Sequence, residues 1–426
     1  MNLRRRRLVT VAAGLAATAL ILAGCASAAS GNGGGGGGGD SVSVPADASK
    51  EEWQAAFADI EPVNIVYQAA VSSSGSSAPR FQRWADKMEE YSDGKVTVEI
   101  VWSYGIAGIT ESDEALRDGR IDAHNFSTFS SPSEFPINGQ LVLDSTVLRD
   151  SSLLEGSLTM FGATNQTAWE VSDVAGELSD NGLTPIIPVA GSALSGLVCS
   201  DPVTSLADLK GKMIRTGPLV HVGQVEALGA TSVNLPFTEL YEALQRGIID
   251  CAIYGVGGLA EGGILEVAPY VITPVGTSFA TSTASETAGV NWDSWPLVVK
   301  QLHFDLINEM TVDGIGESLG MMDEISAEVT ANGGEFLEFD EEANDALREH
   351  NDEVLKSLAK TDLLDGDEFT TVVQDQFSEW KQLVQDAGYS SATLVEYDDQ
   401  LSGNDIDLTA YKELYRERIL EPNRPK

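Results

Sequence analysis

From Val63 onward the chain alternates between short apolar runs and amphipathic stretches. Val63 to Ala69 is an apolar-rich run of strand length, and Ser72 to Ser77 is a polar loop. Pro79 opens a stretch in which Phe81, Trp84, Ala85, Met88 and Tyr91 recur at helical spacing, so that one face is buried. Gly94 falls where a helix end calls for a left-handed residue. Val96, Val98 and Ile100 then alternate as in a strand with one buried face. Strand, helix, strand predicts a parallel pair joined by a crossover helix.

One local pattern occurs twice. Glu114-Ala115-Leu116 leads through Gly119 to Ile121-Asp122, and Glu242-Ala243-Leu244 leads through Gly247 to Ile249-Asp250. Each reads as a helix stopped by glycine and followed at once by a strand. Repeats of solenoids are much shorter than this separation, so the pattern predicts two similarly built α/β lobes. The second copy lies in a clear α/β run. Ser205 and Asp208 have capping-box spacing, Lys212 to Thr216 reads as a strand, Leu219 to Leu228 as a helix, and Ser232 to Leu235 as another strand. Past Trp292 the chain is mainly helical, with Leu297, Leu302, Leu306 and Met310 on one face. From about Glu338 it turns acidic.

The first residues carry a different pattern. Arg4 to Arg7 form a basic start, Leu8 to Leu22 is almost unbroken apolar sequence, and Leu22-Ala23-Gly24-Cys25 follows. A basic start, a short apolar run and small residues before a cut describe an export signal. The run is shorter than the roughly 20 residues that span a bilayer comfortably. The ending resembles a bacterial lipobox, which makes Cys25 the expected lipidation site. Ser30 to Asp40 is a glycine tract, which behaves as flexible coil and would tether the body to the lipid. Firm anchoring takes two acyl chains.

Charge then narrows the partners. The formal net charge is −39, and cleavage before Cys25 removes four arginines and no acid, leaving −43. Such a field repels nucleic acid and anionic lipid, and an anionic ligand needs a local cation to bind against it. After processing, Cys199 and Cys251 remain. Outside the cytoplasm a thiol pair tends to oxidise, so these two are expected either as a disulfide or as two buried thiols. Their spacing matches no zinc motif, and His124, His221, His303 and His350 are too scattered to hold a metal. No phosphate-binding Gly-Lys-Ser/Thr motif occurs. No cofactor is expected.

The segment from Ser205 to Tyr270 is the most specific. It reads Asp208-Leu209-Lys210-Gly211-Lys212-Met213-Ile214-Arg215, then Leu228-Gly229-Ala230, then Leu235-Pro236-Phe237-Thr238-Glu239-Leu240-Tyr241, and ends with Ala243 to Asp250. It closely resembles the solute-binding proteins of tripartite ATP-independent periplasmic (TRAP) transporters, the DctP-type family. Tyr91 to Val96, Leu116 to Asp122 and Val290 to Leu297 are similar to other parts of that family. The resemblance implies a two-lobed α/β fold of the periplasmic-binding type with a ligand cleft between lobes and a helical C-terminal part. It also implies membrane subunits as partners, driven by an ion gradient.

Arg215 ends a strand and precedes Gly217 and a helix start. A helix start presents free N–H groups and a positive dipole end. An arginine there can hold a carboxylate with two parallel hydrogen bonds, which lysine cannot reproduce. By resemblance it matches the family's carboxylate-clamping arginine; on residue chemistry alone an ordinary surface ion pair is the alternative. Phe237 and Tyr254 match positions that reach the ligand, with core packing as the alternative for each. Ser195 stands where some members place a second ligand-binding arginine, and Cys251-Ala252-Ile253 replaces a more polar stretch. Both departures favour a monocarboxylate with an apolar or aromatic portion. In the first lobe Trp102, Tyr104, Asn125 and Ser127 follow strands, and ligands of open α/β sheets sit beyond the carboxyl ends of strands. Asp122 and Asp250 read as structural.

The expected organisation is a lipoprotein signal at 1–24, a tether at 25–60, lobe I at 61–190 with a return segment at about 280–305, lobe II at 191–279 with helices at about 306–400, and a tail at 401–426. The expected function is extracytoplasmic capture of a small carboxylate-containing molecule at the outer face of the cell membrane, for delivery to a transporter. A ligand sensor, or an extracellular enzyme on the same scaffold, is the alternative.

Overall fold

The computed structural model describes residues 42–426 except 129–132, 192–193, 218–219, 236–238, 261, 282, 359–363 and 405. The export signal, Cys25, the glycine tract and Phe237 lie outside the described residues.

Two sheets organise the chain. The first is ordered β2-β1-β3-β10-β4, built from β1 (Val63–Gln68), β2 (Val96–Val101), β3 (Ala123–Phe126), β4 (Thr184–Ile187) and β10 (Ser285–Ala288). The second is ordered β11-β9-β5-β8-β6-β7, built from β5 (Ser195–Cys199), β6 (Met213–Thr216), β7 (Thr231–Asn234), β8 (Cys251–Gly255), β9 (Tyr270–Thr273) and β11 (Phe336–Glu338). Both share one plan. A parallel trio (β2-β1-β3, or β7-β6-β8) is followed by a strand antiparallel to it (β10, or β5) and then by one antiparallel to that strand in turn (β4, or β9). This is the two-lobed α/β architecture that the duplicated pattern predicted.

The duplicated motif shows why the lobes match. Asp122 Oδ2 accepts from the Val66 N–H of β1 at 2.7 Å, and Oδ1 accepts from Asn291 Nδ2 at 2.7 Å. Asp250 Oδ2 accepts from the Met213 N–H of β6 at 2.8 Å, and Oδ1 accepts from Lys212 Nζ at 3.1 Å. Each aspartate thus pins the start of its strand to the neighbouring parallel strand. The preceding glycines, Gly119 and Gly247, have φ of 79° and 64°, which only glycine adopts without strain.

Helix Ala78–Tyr91 covers the first sheet, placing Phe81, Trp84 and Met88 against Tyr67 and Ile65. The capping box of Ser205 and Asp208 is formed in both directions. Two segments pass between the sheets, described at residues 188–191 and 194 and at residues 274–281, 283 and 284. They run side by side: the Ala190 N–H donates to the Ala284 carbonyl at 2.6 Å, and Ser285 Oγ donates to the Pro188 carbonyl at 2.6 Å. The second segment is also held to helix Val220–Ala227 through Gln224, which accepts from the Ala280 N–H and donates to the Ser278 carbonyl.

A helical layer stands beside the sheets. Helix Gly366–Asp386 packs on helix Leu154–Glu170, with Trp380 fully buried against Gly162. A 24-residue helix, Leu297–Gly320, packs along helix Ala78–Tyr91. The stretch expected to continue the tether to residue 60 is folded instead. Ser49 and Glu52 form a capping box on helix Lys50–Ala56, and Trp53 and Phe57 are buried. Its two aromatic residues bury enough apolar surface to offset the entropy of ordering so short a helix. The chain's far end meets it there: Arg424 pairs with Asp305, lies over Trp53 and donates to the Val44 carbonyl. Among the described residues no helix is long and apolar enough to cross a membrane.

Candidate functional site

A cavity of about 460 Å³ opens between the two sheets. Asn125 of β3 and Glu286 of β10 reach it from the first sheet, and Tyr254 of β8 reaches it from the second. Arg80, from the crossover helix, adds a charge. Ala190, Gly191 and Leu194 of the crossing segment close one side, and Met310, Ile315 and Met322 bring an apolar wall from the long helix and the helix after it. The strands of both parallel trios point their carboxyl ends at this space, where the sheet geometry places ligands.

Arg215 stands at the end of β6, paired in register with Ala252 of β8. It is half-buried, and burial lowers its pKa below the usual arginine value, with the nearby Tyr254 phenol acting in the opposite sense. Its Nε donates to the Leu235 carbonyl at 3.2 Å, and it makes no salt bridge among the described residues. Its Nη1 lies beside Gly217, whose N–H donates to His221 Nδ1 at 3.3 Å. The other ring nitrogen of His221, Nε2, carries the proton and donates to the Ala280 carbonyl at 2.6 Å. Burial lowers His221 to about 4, and the Arg215 charge adds to that, so the ring stays neutral and keeps one donor and one acceptor. The turn that carries Arg215 is thereby tied to the crossing segment.

Tyr254 lines the cavity and lies opposite Gly196 in β5. A Cβ on Gly258 would stand 3.0 Å from its ring, so glycine there leaves room for the aromatic. Asn125 also lines the cavity, where its Nδ2 donates to Glu286 Oε1 at 2.7 Å. Arg215 adjoins through Tyr254 and is not itself in the wall. Trp102, Tyr104, Ser127 and Ser195 are not among the lining residues either. Trp102 is half-buried edge-on to Phe81, Tyr104 is edge-on to His124, and Ser195 is buried in β5. Ser103 and Tyr104 both have φ of 55°, which turns the chain sharply after β2. Cys199 and Cys251 face each other across β5 and β8 and are joined in a disulfide.

Two residues of the wall were missed by sequence reasoning. Glu286 is fully buried; its Oε2 accepts from Tyr67 Oη at 3.0 Å. Burial pushes its carboxyl upward, while Asn125, Tyr67 and the Arg80 charge hold it down. Arg80 has a buried Nε without a hydrogen-bond partner, and its guanidinium lies across Gly314 of the long helix, where a Cβ would stand 2.5 Å from Nη1. Glu286 sits in an unremarkable Ser-Glu-Thr-Ala run and Arg80 directly after a proline. Neither carries a local signal; both become visible only with the partners that surround them.

Comparison with known proteins follows the same division. The profile of the family described as "Bacterial extracellular solute-binding protein, family 7" (DctP) matches residues 163–362. The ectoine-binding periplasmic protein TeaA of Halomonas elongata is 39% identical over 75 residues, which is 17% of this chain and 22% of that protein. The match therefore spans about a fifth of that relative's length. Among solved structures, the sugar acid binding protein DctPAm of Advenella mimigardefordensis, in complex with galactonate, superposes with a TM-score of 0.61 at 18% identity. It covers 76% of this chain and 100% of its own. DctP7 of Bordetella pertussis, which binds pyroglutamic acid, gives a TM-score of 0.60 at 15% identity over 74% of this chain and 99% of its own. A marine metagenome TRAP protein specific for aromatic acids, with 3-hydroxybenzoate, gives 0.59 at 19% identity over 75% and 99%. The chain has the two-lobed fold of TRAP periplasmic solute-binding proteins.

Proposed function

We propose that this chain is the extracytoplasmic solute-binding protein of a TRAP-type secondary transporter, capturing a small carboxylate-containing molecule through Arg215 and delivering it to membrane subunits. One observation carries this reading. A cavity of about 460 Å³ between the sheets is adjoined by a half-buried guanidinium that no carboxylate among the described residues neutralises. In a protein of net charge −39 such a group is a local inversion of the field, which is what an anionic ligand requires. The matched family profile spans Arg215, and the three solved proteins described above bind acids. On this reading the protein is a receptor and leaves its ligand chemically unchanged. Cys25 carries the lipid, and the glycine tract lets the folded body range from the outer face of the membrane.

Two measurements test the reading. The protein carrying Cys25→Ser is expected in the soluble fraction of cells, whereas the unaltered chain partitions with membranes; a variant that stays membrane-bound refutes lipidation at Cys25. The soluble form is then screened by thermal shift against organic acids, with mass spectrometry of any small molecule released on denaturation. Recovery of an intact acid that raises the melting temperature supports capture. Recovery of a converted product points to the enzyme alternative.

A further inference from the structure

The cavity's first-lobe wall contains two charges of opposite sign that do not neutralise each other. Arg80 forms no hydrogen bond and no salt bridge among the described residues, and its Nε is buried without a partner. Glu286 stands in the same wall, close enough for the Arg80 charge to act on it, but its two oxygens are taken up with Tyr67 and Asn125. Each carboxylate oxygen has two lone pairs, so each retains one site for a further donor. Arg80 offers only donors. Gly314 is required for this placement, because any side chain there collides with the guanidinium.

We propose that Arg80 and Glu286 form a second recognition point that selects the ligand's other end, and that this end is a neutral group able both to accept from Arg80 and to donate to Glu286, such as a hydroxyl or a lactam. The inference rests on the carboxylate clamp at Arg215 for the first end. A second carboxylate on the ligand faces Glu286 and is repelled. An ammonium faces Arg80 and is repelled in turn. A purely apolar end leaves the buried Arg80 Nε without a partner, and an unmet buried polar group is costly. A neutral donor–acceptor group meets none of these penalties. This adds a polar end to the expectation of a monocarboxylate with an apolar or aromatic portion, which rests on Ser195 and the Cys251-Ala252-Ile253 stretch. Sites that hydrogen-bond a polar group reject the analogue lacking it far more strongly than apolar pockets reject size variants.

The test uses the full chain carrying Cys25→Ser and matched probe pairs that share a carboxylate: pyroglutamate against cyclopentanecarboxylate, and 3-hydroxybenzoate against benzoate, with glutarate as the second-carboxylate probe. Calorimetry is expected to show that in at least one pair the polar member binds tenfold or more tighter, with glutarate weaker than that member. Arg80→Met is expected to weaken the polar member to the level of its apolar partner. Glu286→Gln is expected to narrow the discrimination against glutarate. Gly314→Ala, which leaves both charged residues in place, is expected to reproduce the Arg80→Met effect by displacing the guanidinium. A wild-type protein that binds neither polar member, binds both members of each pair equally, or keeps its discrimination in Arg80→Met overturns the proposal. Arg215→Met is read separately: it is expected to weaken both members of a pair alike. Unchanged binding there refutes the clamp, while the wild-type and Arg80→Met ratios still report on the second point.

Discussion

On the proposed reading, replacing Arg215 with Met removes the cation that holds the ligand's carboxylate. The side chain is half-buried, its Nε is committed to the Leu235 carbonyl, and no carboxylate among the described residues offsets its charge. The Leu235 bond fixes the plane of the guanidinium and leaves both Nη groups for a two-point grip. Part of the desolvation has been borne on folding, so a bound carboxylate gains from a charge already drawn out of water. Truncating one partner of such a charge pair costs roughly 2–5 kcal/mol. At about 1.4 kcal/mol per tenfold, that is about 30-fold to several thousand-fold in Kd. Arg215→Lys keeps the charge without the fork and is expected to fall between. Stability without ligand should move by about 0.5 kcal/mol or less, since no internal ion pair is broken. Isothermal calorimetry with the acid giving the largest thermal shift, alongside circular dichroism melts of both proteins, makes the measurement. An Arg215→Met protein whose Kd lies within threefold of the parent would refute the reasoning.

Other consequences concern stability. Asp144 is buried with an unpartnered Oδ1 and a long 3.4 Å bond from Thr370, and burial raises its pKa from the ordinary carboxylate range to about 7. Its contribution is therefore full below about pH 4 and is lost as pH rises through 7, so Asp144→Asn is expected to raise Tm at pH 8 and to leave it nearly unchanged at pH 4. His124 and His221 have the opposite sign: burial lowers both to about 4, so stability is present above their unfolded value near 6.5 and falls as pH drops towards 4. His221→Gln should flatten part of that decline in a Tm–pH profile. Opening the Cys199–Cys251 disulfide, which closes a sequence separation of 52 residues, is expected to cost about 2–4 kcal/mol, read as a lower urea midpoint in Cys199→Ser/Cys251→Ser. Gly162→Ala places a Cβ 2.1 Å from the Trp380 ring and is expected to cost at least about 1–3 kcal/mol; a melt equal to the parent's would show that the helix Gly366–Asp386 shifts without penalty.

Much of the fold was legible because it rests on short-range rules. The apolar periodicity of Phe81, Trp84 and Met88, the capping box of Ser205 and Asp208, and the two Gly-x-Ile-Asp turns each encode a local geometry in consecutive residues. Arg215 was legible as a candidate for the same reason: a strand end, a glycine and a helix start are neighbours in sequence. The helix Lys50–Ala56 was missed although its capping box is equally local, because its polar, short sequence follows the glycine tract without an apolar periodicity to mark it.

What the sequence determined alone is therefore the alternation of strands and helices, the duplication that makes two lobes, and a cation in an acidic chain. The tertiary structure decided which side chains share the cavity. Glu286 meets Tyr67 across 219 positions and Asn125 across 161, and Arg80 reaches across Gly314. Hydrogen bonding, excluded volume and electrostatics act over a few ångströms of space irrespective of separation along the chain. Periodicity and turn signals act over a few residues, so they specify elements but not the partners those elements acquire on packing.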